Sequence, residues 1–197
     1  MLCQHRFPLP GSPSTCTLDT AIVPLPSFLF IVVLALHFNF RKAKTANEPR
    51  LRLKKWIHIA YLVLVAAQIA MTLLELIRLG LEDLGYGLLP VNTIGLICAF
   101  AVLWRERIPG RSNEIVQIFL VYWLLELIVM AVKTARLHEL ENLNPTTSKD
   151  SKYPSSDWFL DNAVMLGLDL VFACCEIATL VLSARKRQES YKLQSYV

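Results

Sequence analysis

The chain has 197 residues, of which 54% are hydrophobic and 18% charged, with a formal charge of +4 and a mean hydropathy of +0.44. That apolar share exceeds what one soluble core of this length can absorb, so it calls for lipid. The basic residues cluster beside apolar runs instead of covering a soluble face, which argues against nucleic acid and for anionic lipid head groups.

Residues 1–19 are rich in proline and serine and lack the basic start and cleavage site of a secretory signal, so they are expected to remain as an outside or lumenal tail. Cys3 and Cys16 fall in this tail, on the oxidising side if the chain enters the secretory pathway, and are a candidate disulfide. Residues 20–40 carry no charge, and Pro24 and Pro26 stand near the beginning, where a helix tolerates proline. This is the first predicted span, because about 20 apolar residues are needed to cross the hydrocarbon layer as a helix.

A basic loop follows, with Arg41, Lys42, Lys44, Arg50, Arg52, Lys54 and Lys55 as candidate partners of lipid head groups. Trp56 opens the second predicted span, 56–79, at the depth where interfacial aromatics sit. Glu82 and Asp83 form an acidic turn. The third span, 84–104, is uncharged, with Gly85, Gly87 and Pro90 loosening its entry, and a basic turn from Arg105 to Arg111 closes it. The fourth, 115–132, contains Glu126, and a polar connection leads to the fifth, 158–184, which contains Asp161, Asp169 and Glu176. A basic tail, 185–197, ends the chain.

The fold expected is therefore all-α: a polytopic bundle of five transmembrane helices. Threading five spans puts the 41–55 loop, the 105–111 turn and the tail from Arg185 on one side. Short cytoplasmic loops are enriched in Lys and Arg, so the N-terminus is expected outside or in a lumen and the C-terminus in the cytoplasm.

Polar residues inside the spans recur by heptad, which keeps them on one helix face. Tyr61, Gln68 and Glu75 form one such stripe, and Asn162, Asp169 and Glu176 another. Glu126 lies one turn after Tyr122. One reading makes Glu126, Asp169 and Glu176 a path for a proton, metal ion or cationic solute, as in a small independent carrier or channel. The favoured reading makes the stripes seams where helices hydrogen-bond across the bundle. Glu75 and Arg78 are spaced for an ion pair within one helix, with Arg78 reaching outward. His37 and His58 flank the basic loop and are expected at the membrane interface.

No enzyme motif is present: there is no P-loop, GxSxG or HExxH, and the five cysteines have no metal-ligand spacing. Asp161 and Asp169 are two turns apart, about 12 Å, too far to share a proton as an acid/base pair. The chain is expected to be no enzyme, to hold no metal or cofactor, and to bind no ATP.

Two stretches carry a family resemblance. Cys16-Thr17-Leu18-Asp19-Thr20 precedes the first span, and Trp104-Arg105-Glu106-Arg107-Ile108-Pro109-Gly110-Arg111-Ser112 leads towards Tyr122-Trp123-Leu124-Leu125. With five spans and a basic first loop, the chain resembles the extra N-terminal membrane domain, TMD0, of ABC transporters of the multidrug-resistance-associated and fungal heavy-metal-tolerance type. The resemblance implies a module that does not transport by itself but targets, assembles or regulates a transporter, at vacuolar, lysosomal or plasma membranes, with an ABC core as partner. The six-helix transport core and nucleotide-binding domain of such transporters lie outside this sequence, which is expected to be a stand-alone paralogue, a truncated product or a separated part.

Overall fold

A computed structural model describes residues 21–40, 54–81, 87–108, 110–143 and 155–194. They form five helices: α1 (Leu25–Phe40), α2 (Lys55–Leu81), α3 (Leu89–Glu106), α4 (Asn113–Leu143) and α5 (Ser155–Gln194). The disulfide candidates Cys3 and Cys16, the basic residues Arg41, Lys42, Lys44, Arg50 and Arg52, and the Glu82–Asp83 turn lie outside the described residues.

The chain is all-α, and four helical stretches are long and apolar enough to cross a membrane: Lys55–Leu81, Leu89–Glu106, Asn113–Glu139 and Phe159–Arg185. The first helix is apolar but shorter, 16 residues against the 21 expected over 20–40. Its prolines account for the late start. Pro26 has no N–H to donate and so belongs in the first turn, and Phe28 N–H donates to Pro24 O at 3.1 Å to open the helix. Helix α3 likewise begins at Leu89, later than expected, because Gly87 takes φ 51 and Pro90 occupies the first turn. Helix α4 runs well past residue 132, into the stretch read as connection, since Lys133 to Leu143 holds mostly good helix formers that need no lipid to stay helical.

The exterior is apolar, unlike that of a soluble domain, while the interior mixes an apolar core around Val65, Leu103, Phe119 and Phe172 with polar side chains. Val63, Ile77, Ile128, Leu160 and Leu182 point outward, while Glu126, Asn162, Asp169 and Glu176 are buried. In water such a surface would be a continuous apolar patch; in a bilayer it meets solvent of its own kind. Cys174 lies on the outer surface, and Cys98 and Cys175 are half-buried.

Contacts across the bundle fix the up-and-down threading. The beginning of α4 meets the end of α5 at Asn113 and Ser183, and the end of α4 meets the beginning of α5 at His138 and Phe159, so these two run antiparallel. His58 at the start of α2 touches Leu103 at the end of α3. His37 at the end of α1 lies 3.6 Å from Glu114 at the start of α4. Lys54, Lys55, Arg105, Arg107, Arg111 and Arg185 therefore share one end of the bundle with the exposed Trp56 and Trp104, an arrangement suited to one membrane interface.

Candidate polar interior

The polar side chains form three groups between the helices. At the basic end, Gly110 adopts φ 83, a conformation that favours glycine, and turns the chain so that Arg111 points back into the bundle. Ser112 then caps α4, its Oγ accepting from Ile115 N–H at 3.4 Å. Arg111 Nη1 donates to Glu176 Oε1 at 2.8 Å, with the two side chains 2% and 0% exposed. Tyr61 O–H donates to the same carboxylate oxygen at 2.6 Å, and Trp123 Nε1–H donates to Tyr61 Oη at 2.7 Å. The guanidinium also lies 4.8 Å from the centre of the Phe119 ring. Burial works against the charge on Arg111, but Glu176, with Tyr61 and Glu106, more than offsets it and holds the guanidinium proton above its ordinary range.

In the middle of the bundle, Ser27 Oγ stands 2.6 Å from Asn92 Oδ1, 2.8 Å from Glu126 Oε1 and 3.1 Å from Tyr122 Oη. One hydroxyl thus ties α1 to α3 and α4. It gets there because Gly95 leaves room: a Cβ on that glycine would lie 2.6 Å from both Cβ and Oγ of Ser27. Across the same core, Gln68 Nε2–H donates to Asp169 Oδ1 at 3.3 Å.

The stripes of α2 and α5 therefore face one another in antiparallel register. One heptad step forward, from Tyr61 to Gln68, matches one heptad step back, from Glu176 to Asp169. The next step would set Glu75 opposite Asn162; Asn162 is buried and Glu75 half-buried. Here Lys133 Nζ of α4 donates to Glu75 Oε1 at 2.5 Å. Arg78 pairs with Asp161 of α5. This corrects the pairing expected from spacing. Glu75 and Arg78 each bind another helix, because partners three and four residues apart cannot compete with countercharges already fixed in the bundle.

His58, in the first turn of α2 and two residues from the exposed Trp56, is buried between helices, its Nε2 lying 3.1 Å from Leu103 O, so it fastens α2 to α3. His37 lies against Glu114 at the same end. The two aspartates weighed as an acid/base pair go to separate partners, Asp161 to Arg78 and Asp169 to Gln68.

Sequence reasoning passed over Arg111, Ser27 and Asn92. Arg111 stands in a turn that reads as solvated, and its partner is 65 residues away. The one available signal was the demand of Glu176 for a cation at its own depth. Ser27 and Asn92 are lone small polar residues in uncharged runs, where nothing distinguishes a buried hub from a tolerated substitution.

No curated protein and no solved structure matches the chain. A family model described as the ABC transporter TMD0 domain matches residues 7–153, a stretch that contains Ser27, Gln68, Asn92, Arg111, Tyr122 and Glu126 and ends just before α5.

Proposed function

Because the chain belongs to the ABC transporter TMD0 domain family, we propose that it is a non-catalytic membrane module that associates with an ABC transporter core and serves its targeting, assembly or regulation. The match over residues 7–153 is the observation that carries this reading. The polar interior supports it: Tyr61, Gln68, Glu126, Asp169 and Glu176 are engaged in bonds between helices, which is how a bundle stabilises itself as a building block. The proposed site is vacuolar, lysosomal or plasma membrane. The proposed topology places the basic end, with Arg105, Arg107 and Arg185, in the cytoplasm and the N-terminus outside or in a lumen.

Affinity purification of the full chain in mild detergent tests the association, with an ABC transporter core expected among the recovered proteins. Recovery of the chain alone, from membranes that contain such cores, counts against it. Tags at the two termini test the topology and are expected to be accessible from opposite compartments.

A second reading, a small carrier for protons or metal ions, draws on Asp169 Oδ2 and Glu176 Oε2, buried oxygens without a hydrogen-bond partner among the described residues. Flux through liposomes containing the chain, lost on replacing Glu126, Asp169 and Glu176 by their amides, would support it. Absence of flux in the parent protein removes it.

A further inference from the structure

Between α1 and α4 the outer surface is cut by a groove of about 300 Å³. Its floor is the stacked pair Phe30 and Tyr122, 4.1 Å between ring centres, and exposed Leu29 and Val121 form its rims. Along α4 it extends from Glu114 to Leu125. At about 1.5 Å per residue that is roughly 16 Å, half of a hydrocarbon core about 30 Å thick. Glu114 belongs to the first turn of α4, at the basic end, and Leu125 lies near mid-depth. The groove therefore occupies one leaflet, with a polar mouth at the interface and an apolar floor running to the midplane.

We propose that this groove is a binding site for one acyl chain of an amine-bearing glycerophospholipid, with the ammonium of its head group at the Glu114 carboxylate. The Glu114 side chain is 56% exposed and therefore open to a head group while lying 3.6 Å from His37. Arg105 at the same end, its guanidinium 5.8 Å from the ring of Phe38 next to His37, suits the phosphate of the same lipid. A zwitterionic head group satisfies both signs, whereas a purely anionic one would meet Glu114 with like charge. The site is independent of which transporter, if any, the chain joins.

The test uses the full chain in vesicles doped with phosphatidylethanolamine bearing a diazirine on one acyl chain, compared with phosphatidylglycerol carrying the same chain. Crosslinks are expected on α1 around Leu29 and on α4 around Val121, with the amine lipid favoured about two- to fivefold, the scale of one exposed ion pair. Glu114→Gln should abolish the preference and leave the crosslinked positions unchanged. Val121→Trp, which fills the groove, should reduce labelling there severalfold. If that variant does not fold, the labelling map of the parent protein still decides. Labelling spread evenly to faces such as Val63 of α2 and Leu182 of α5, a preference for the glycerol head group, or a protein segment crosslinked in the groove in place of lipid would each overturn the proposal.

Discussion

Two ion pairs, one towards each end of the bundle, hold their charges differently. At the basic end, Arg111 and Glu176 are 2% and 0% exposed, and aromatic rings close over them. At the other end, Arg78 and Asp161 are 20% and 26% exposed, within reach of solvent and head groups. The same chemistry therefore does different work. A buried pair matters chiefly for what remains when one member is removed, because the survivor keeps its charge where nothing can solvate it. A half-exposed pair leaves behind a group that can turn to water, and its loss is small.

The sharpest way to break this comparison is Arg111→Ala. It strands Glu176 in the interior with only the Tyr61 hydroxyl donating to it, and a loss of about 3–5 kcal/mol is expected. Thermal unfolding of the full chain in mild detergent measures it. The double variant Arg111→Leu with Glu176→Leu should recover most of that loss, since an apolar pair of similar bulk carries no stranded charge. If the double variant is as unstable as the single one, Arg111 acts through its packing on Phe119 and not through its charge.

Between the ends, the Ser27 node tests whether uncharged polar contacts fall in the middle of the scale. Gly95→Val would drive a side chain into Ser27, 2.6 Å away, and separate α1 from α3 at an expected cost of about 1–3 kcal/mol. Ser27→Ala removes the shared hydroxyl without adding bulk and should cost about 1–3 kcal/mol by leaving buried Asn92 and Glu126 short of a partner. If Gly95→Val is harmless while Ser27→Ala is not, α1 is held by the hydrogen bonds alone.

How much of this was legible in the sequence depended on the range of the interaction. Helices were legible because crossing a bilayer demands run length, a local property, and the heptad stripes of α2 and α5 because periodicity is local too. The first helix came out short because Pro24 and Pro26 act on backbone donors, which a count of apolar residues ignores. The register that sets Tyr61 on Glu176 and Gln68 on Asp169 was implicit in two stripes of equal period, although either could have faced another helix. Arg111 was not legible, since its burial depends on a glycine turn and on a carboxylate arriving from the last helix. The same limit misdirected Glu75 and Arg78: spacing within one helix reveals possible partners but not the stronger ones that other helices bring.

The smallest expected effect lies at the half-exposed end. Asp161→Asn removes one charge of the pair with Arg78 but keeps the side chain's shape and its capacity to accept a hydrogen bond. The cost should be no more than about 1 kcal/mol. Salt adds a second discriminator. Screening acts over about 10 Å at 0.1 M and reaches groups in contact with water, so the difference between Asp161→Asn and the parent protein should shrink as salt is raised. The difference between Arg111→Ala and the parent should hold across the same range, because ions cannot follow Glu176 into the interior. A salt dependence shared by both variants would mean that the basic end is wetter than its burial indicates, and the two ends would then differ in degree only.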